Sequence, residues 1–371
     1  MAKFIIIGAG ILGASTAYHL TKSGAEVIII DRKDPGQATD AAAGIICPWL
    51  SQRRNQAWYQ LAKSGAAYYP KLIQALEADG ETETGYKQVG AISIRKEEKK
   101  LISMEERAYK RREQAPEIGE ITRLHSSEVK TLFPPLSDDF RGLHISGAAR
   151  VDGRLMQNAL TQAAIKNGAT FIEGDAEIKY SGIQVSGVII NGKAMNADTV
   201  IVTAGVWAKS LLKPLGVNFS VEPQKAQIAH LGLPNTDTSN WPVVMPPSDH
   251  YLLAFEDRII AGATHENNVD LDDYNVTSIG LKEIFDKVLT IAPELSEGTL
   301  IETRVGFRPV TPGFLPVIGP LPDHKGILIA NGLGSSGLTT GPYIGSELAK
   351  LALGEPVDID INLYPVSGAL E

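Results

Sequence analysis

Apolar residues fall into two spacings along this chain. Residues 4–7 form an unbroken apolar run, Phe-Ile-Ile-Ile, which predicts a buried strand; after a glycine-rich step, apolar positions recur at helical spacing as far as Gly24. A second apolar run at 27–30 predicts another buried strand. The order strand, small-residue turn, helix returns at 197–212 and at 326–353. In the latter, Pro342 is expected in the first helical turn, with Thr340 or Gly341 as cap. A further helix is predicted over 151–168, capped by Asp152 and stopped at Gly168. Strands are also predicted at 88–95 and 222–231, and the segment 248–268 predicts a hairpin turning near Glu256 and Asp257.

Two charged or glycine-bearing stretches carry no chemistry of their own. "GVIINGKA" (187–194) comes within one residue of a P-loop, but Ala194 stands where a metal-binding hydroxyl is needed. Asn191-Gly192 between apolar runs predicts a hairpin turn there instead. The run "YKRREQ" (109–114) lies near "KEEKK" and "MEERA", and these alternating signs predict the solvated face of a helix.

Composition narrows the class. A chain of 371 residues with 43% hydrophobic and 21% charged residues predicts two domains of ordinary globular type. The formal net charge of −8 argues against nucleic acid as a partner. No apolar run approaches the ~20 residues of a membrane span, so no transmembrane segment is expected. The single cysteine, Cys47, cannot close an intrachain disulfide, and a reducing, cytoplasmic location is expected. HExxH, paired CxxC and GxSxG patterns are absent from the sequence, so neither a metal site nor esterase chemistry is expected.

The first strand-turn-helix carries the most specific chemistry. Gly8, Gly10 and Gly13 fit the GxGxxG pattern in its required context. Gly8 permits the tight turn, Gly10 lets the backbone approach a pyrophosphate, and Gly13 lets the helix pack closely on the strand. The amides of Ile11 and Leu12 are expected to face the phosphates at the positive end of the helix. Asp31 closes the second strand, where a carboxylate accepts hydrogen bonds from ribose hydroxyls and repels the 2′-phosphate of NADP. His19, inside the helix, reads as a packed or surface histidine.

NAD and FAD share this pattern, and three later segments favour the flavin. The run at 38–49 contains Thr39, Ala42, Ala43, Gly44 and Ile45; it reads either as backbone laid open to a bulky ring system or as a tightly packed loop. The turn Thr203-Ala204-Gly205, with Trp207 just beyond it, ends a buried strand where a nucleotide crevice is expected. Backbone amides from Gly334 through Ser335, Ser336, Gly337 and Leu338 to Thr339, followed by a helix, suit the negative charge that a reduced flavin carries.

Taken together, "IIIGAGILGASTAYHL", "AAAG", "TAGVWA", "GFRPVTPGFLPVIGP" and "NGLGSSGLTTGP" resemble the FAD-dependent D-amino-acid oxidase family, which includes glycine oxidases, sarcosine oxidase-like enzymes and D-amino-acid dehydrogenases. The resemblance spans almost the whole chain. It implies FAD contacts at Asp31 and Arg32, at Ala43-Gly44-Ile45, at Ala176 through its backbone, and at Gly334 to Thr339. It places Arg308 on the substrate carboxylate, a role that suits a planar guanidinium with two parallel donors. Without the resemblance, a structural ion pair with a distant acid would serve as well. Tyr251 and His265 are implied to point into the substrate cavity, Tyr251 as a second carboxylate contact; on their own, Tyr251 reads as core packing and His265 as either cavity wall or surface. The C-terminal segment has no cysteine, and dissociable, non-covalent FAD is expected.

The expected architecture is α/β: a Rossmann-like FAD-binding domain made of residues 1–50, 142–215 and 305–371, interleaved with an antiparallel-sheet (α+β) substrate domain of residues 51–141 and 216–304. The expected activity is oxidation of a small amino acid (glycine, a D-amino acid or an N-methyl amino acid) by hydride transfer from Cα to flavin N5, giving an imine. The alternatives are a flavoprotein dehydrogenase subunit serving an acceptor other than oxygen, and an NAD-dependent dehydrogenase. The expected ligand is a small amino acid, and a second copy of the chain or an electron-acceptor protein stands open as a partner.

Overall fold

The computed structural model describes residues 2–371. Its nucleotide half is built on a six-stranded sheet in the order Val317–Pro320, Ile327–Asn331, Thr199–Val202, Lys3–Ile7, Glu26–Asp31, Thr170–Glu173. All neighbours run parallel except Val317–Pro320 against Ile327–Asn331. Both faces are covered, which is why these strands read as unbroken apolar runs. Phe4, Ile6, Val27 and Ile29 pack towards the helices Ile11–Lys22, Gly153–Lys166 and Gly337–Leu353. The alternate residues Ile5, Ile7, Ile28 and Ile30 pack on a three-stranded antiparallel sheet of Ala176–Ser181, Gln184–Ile190 and Lys193–Asn196. Each such side chain contributes roughly 1.5–3 kcal/mol on burial.

The second sheet has eight strands, in the order Thr299–Val310, Glu222–Gly232, Ile259–Gly262, Tyr251–Ala254, Val243–Met245, Ala91–Arg95, Arg141–Ile145, Ile121–Leu124. Only Val243–Met245 beside Ala91–Arg95 is parallel. Its two longest strands pair in a register that sets Gln224 opposite Arg308. Helix Ser278–Ile291 covers part of one face through Ile284 and Val288. Arg141–Ile145 and Thr299–Val310 belong to this sheet, so the segments 142–215 and 305–371 both start inside it. The long helix Gln56–Ala78 instead leans on Gly337–Leu353, and the approach is so close that a Cβ on Gly65 would meet the Thr339 carbonyl at 2.1 Å.

Local signals translate directly where they depend only on near neighbours. Asp152 caps its helix by accepting from the amides of Arg154 (2.9 Å) and Leu155 (3.1 Å). Asn191 and Gly192 both take positive φ, 50° and 73°, and turn the hairpin that excludes a P-loop. None of the helices among the described residues is long and apolar enough to cross a membrane.

Pro342 is different from expectation. The last helix starts at Gly337, so Pro342 lies inside it rather than in its first turn, and neither Thr340 nor Gly341 is the cap. A proline there has no N–H for the carbonyl four residues earlier. That carbonyl, on Leu338, accepts the hydroxyl of fully buried Tyr69, and the Pro342 carbonyl accepts from Ser15 at 2.7 Å. A neighbouring helix, through Tyr69, thus satisfies a defect that is invisible locally. Tyr69→Phe leaves the Leu338 carbonyl buried and unpaired, and it is expected to lower the unfolding free energy by about 1–3 kcal/mol. Denaturant unfolding measures this; an unchanged midpoint would remove the hydroxyl from the account.

Candidate active site

A cavity of about 740 Å³ follows the carboxyl ends of the parallel strands and continues under the second sheet to Tyr251 and Arg308. Gly8, at φ 102°, turns the chain out of the first strand; a Cβ on it would lie 2.6 Å from the Thr203 carbonyl. Gly13 lies outside the cavity wall, and its Cβ would meet the Gly8 carbonyl at 1.9 Å. Both glycines are required by the protein's own packing. Gly10 is not: a Cβ there would meet only Thr39 Oγ1, at 3.3 Å, and would otherwise face the cavity. The helix that follows has neither a side-chain cap nor an acidic residue in its first turn, so its positive end is left to face the cavity.

Ile11 and Leu12 line this end, with one correction to the expected role of their amides. The Ile11 amide donates to Thr39 Oγ1 at 3.0 Å, so a protein hydroxyl already occupies it. Thr39 therefore fastens the loop 38–49 to the helix start. Asp31 is 8% exposed, and its carboxylate accepts from the amides of Ala9 (2.6 Å) and Lys33 (2.6 Å) and from the Gln37 side chain (2.8 Å). An ionised carboxylate offers about four acceptor sites, so one remains for a ribose hydroxyl. Arg32 lines the cavity while pairing with Asp34 and Asp175.

Ala42, Ala43, Gly44 and Ile45 form one wall. Gly44 has a packing reason of its own: at φ 94°, its Cβ would fall 1.7 Å from the Val151 carbonyl. The Ile45 carbonyl accepts from the Thr339 hydroxyl at 3.0 Å, which joins this wall to the C-terminal segment. Ala176, Thr203, Ala204, Gly205 and Trp207 line the cavity too, together with Tyr180 and Pro214. Asn331 steadies the turn by donating to the Gly205 carbonyl at 2.8 Å.

Gly334, Ser335, Gly337, Leu338 and Thr339 also line the cavity. Ser336 does not; its hydroxyl turns away and accepts the Trp58 indole N–H at 2.9 Å. Gly337 resembles Gly10 in having nothing nearer than Leu333 Cβ, at 4.0 Å, to meet an added Cβ.

Arg308 and Tyr251 stand together at the far end of the cavity. Burial pulls the Arg308 pKa below the usual arginine value, and the adjacent Tyr251 hydroxyl opposes that shift. An arginine remains protonated at neutral pH even so. Its Nη1 donates to Gln224 Oε1 at 3.2 Å, and among the described residues no carboxylate lies within the 4.0 Å of an ion pair. Burial raises the Tyr251 pKa, so its hydroxyl keeps its proton. His265 is not in this cavity; it is exposed, and it lines a smaller one beside it. Loss of hydration around the ring, then repulsion from Arg308, lowers its pKa, which favours the neutral imidazole.

Sequence reasoning missed Gln37 and Gln224. Gln37 had a local signal, since it lies six residues after Asp31 in the loop that closes over that carboxylate. Gln224 had none, because only the sheet register brings it to Arg308.

The residues present suit a dinucleotide with a bulky head. Gly10 and Gly337 leave open space that the fold does not need, the wall at 42–44 is made of small residues, and an uncapped helix end faces the cavity. Gly10→Ala and Gly13→Ala are expected to separate binding from folding. Gly10→Ala keeps the melting temperature of the cofactor-stripped protein and weakens dinucleotide binding by roughly tenfold or more, about 1.4 kcal/mol. Gly13→Ala lowers that melting temperature. Equal melting losses would assign both glycines to packing.

The sequence model of the DAO family, described as FAD dependent oxidoreductase, matches residues 3–351. The uncharacterized oxidoreductase YurR of Bacillus subtilis (strain 168) is 61% identical over 371 residues, with 100% of both chains aligned. The glycine oxidase of Pseudomonas putida is 26% identical over 379 aligned positions, covering 99% of each chain. Among solved structures, the iminodiacetate oxidase (IdaA) from Chelativorans sp. BNC1 superposes with a TM-score of 0.95 at 46% identity, covering 98% of both chains. The glycine oxidase from Bacillus cereus shares the fold, with a TM-score of 0.84 at 21% identity over 98% of this chain and 100% of that one. These matches decide between the two dinucleotides in favour of FAD and set the NAD-dependent alternative aside. The chain belongs to the DAO family of FAD-dependent oxidoreductases, and its Rossmann-like half is the part built for that cofactor.

Proposed function

We propose that the protein oxidises the C–N bond of a small amino acid or N-substituted amino acid whose carboxylate is held by Arg308. The observation that carries this reading is the Arg308 guanidinium itself, inside the cavity with Gln224 and Tyr251 beside it and without a carboxylate of the protein. A planar cation of this kind takes a carboxylate through two parallel hydrogen bonds. The relatives named glycine oxidase and iminodiacetate oxidase support the substrate class, since both names describe amines bearing carboxylates.

Gly10, Leu12, Asp31, the 42–45 wall, Ala176, the 203–207 turn and Gly334, Ser335, Gly337, Leu338 and Thr339 are the residues proposed to hold FAD. When bound, the flavin supplies a two-electron acceptor. The chain's own residues do the rest by position. Arg308 fixes the carboxylate, Tyr251 donates its retained proton to the same group, and the Cα–N bond is thereby presented at one place and one angle. Such orientation accounts for much of the rate in reactions of this type. No side-chain base is invoked, because a neutral amine carries its own lone pair; the imine product is hydrolysed by water.

FAD is proposed to be dissociable. Cys47 is buried away from the cavity, and burial pushes its thiol up to about 12, so it does not offer a thiolate for attachment. The nucleotide half is proposed as residues 1–50, 142–215 and 305–371, with 51–141 and 216–304 as the substrate half. A free cysteine suits the cytoplasm.

Anaerobic mixing of the yellow holoenzyme with glycine, sarcosine, proline, D-amino acids and iminodiacetate tests the reading. Bleaching by at least one of them is expected, and a spectrum unchanged by all would overturn it. Arg308→Lys keeps the charge but loses the two-pronged geometry. It is expected to retain FAD and to raise KM by roughly tenfold or more; unchanged kinetics would take Arg308 out of the site.

A further inference from the structure

A second cavity, of about 270 Å³, opens beside the first and is lined by Arg53, Gln224, Asp249, His265 and Phe314, among others. The two cavities are continuous in their walls. Gly334 and Ser335 line both, and Gln224 in the smaller one accepts from Arg308 in the larger. A ligand held by Arg308 that reached past Gln224 would enter the space lined by Arg53.

Three arginines line these two cavities. Arg32 is paired with Asp34 and Asp175, whereas Arg308 and Arg53 have no carboxylate within ion-pair distance among the described residues. Arg53 is nonetheless held in place. Its Nη2 donates to the Phe314 carbonyl, and its guanidinium lies over the Trp58 ring, 4.7 Å from the centroid. Trp58 is fixed in turn by its indole N–H to Ser336. One of the five guanidinium donors is thus used on the backbone, and the stacking sets the plane of the rest.

A purely structural clasp, tying the 312–314 turn to the start of helix Gln56–Ala78, would explain the Phe314 bond and the stacking. It would not explain why this cation, rather than an apolar contact, lines a cavity that shares wall residues with the Arg308 site. Asp249 also lines the cavity and is exposed. An anion in this cavity would settle on the Arg53 side, and an ammonium-bearing tail on Asp249 is the competing occupant.

We infer that Arg53 binds a second carboxylate, so that the preferred substrates are amines carrying two carboxylates, one on Arg308 and one on Arg53, with the nitrogen between them. This rests on the reading of Arg308 as the anchor of the first carboxylate. Arg53 then determines specificity, and His265 borders the second carboxylate.

The test uses the FAD-loaded enzyme and its Arg53→Gln and Arg53→Lys variants, with iminodiacetate against sarcosine and N-ethylglycine as substrates. Calorimetric binding of oxydiacetate against methoxyacetate adds ligands that contain no amine to oxidise. Arg53→Gln is expected to raise KM for iminodiacetate by roughly tenfold or more while sarcosine and N-ethylglycine stay within about twofold; Arg53→Lys is expected to fall between. Oxydiacetate binding should weaken by a similar factor and methoxyacetate binding should not. Equal shifts for one-carboxylate and two-carboxylate compounds, or none for either, would make Arg53 a structural clasp and overturn the inference. Preference of the unmodified enzyme for N-(2-aminoethyl)glycine over iminodiacetate would overturn it in favour of Asp249. If no amine is oxidised at all, the proposed function fails, and the oxydiacetate comparison still decides the role of Arg53.

Discussion

A guanidinium held in a cavity without a counter-ion is something folding does not favour by itself, because removing charge from water costs several kcal/mol unless a partner restores it. Arg308 is such a group, and the surrounding architecture keeps it so. The Thr299–Val310 strand carries it into the cavity, the neighbouring strand sets Gln224 opposite it, and the hairpin delivers Tyr251. None of these neighbours neutralises the charge. The cation is positioned, and in the proposed function a substrate carboxylate completes it.

The same division between what the fold needs and what a ligand needs runs through the glycines. Gly8, Gly13 and Gly44 would collide with backbone if they carried a Cβ, so their identity follows from packing. Gly10 and Gly337 would not, and their small size leaves room beside the helix ends that face the cavity. A motif written as three equivalent glycines thus contains two kinds of residue. The contrast also bears on the 38–49 loop, where Thr39 serves the helix start and Gly44 serves the contact with Val151. Its alanines are left facing the cavity.

What could be read from the sequence was what depends on neighbours within a few residues. The first strand, turn and helix, the Asp31 position, the Asp152 cap and the Asn191-Gly192 hairpin all belong to that class. The parallel sheet followed from apolar runs, and the family from motifs at both ends of the chain. What escaped depends on residues far away in sequence. Pro342 could sit within a helix because Tyr69, from another helix, satisfies the carbonyl it strands. Ser336 was drawn off the cavity by Trp58, 278 residues away. Gln224 reaches Arg308 across 84 residues through strand register alone. His265 was placed with Arg308 by resemblance, but the structure sets it in the adjoining cavity.

We propose that the Arg308 cation is completed by a carboxylate from outside the protein. A crystal structure of the FAD-loaded enzyme soaked with methoxyacetate examines it most directly. Both carboxylate oxygens are expected on the Arg308 guanidinium, with one also accepting from Tyr251, and the ligand's carbon chain is expected to lie along the flavin. A carboxylate bound elsewhere, with Arg308 turned to an acidic side chain of the protein, would contradict it.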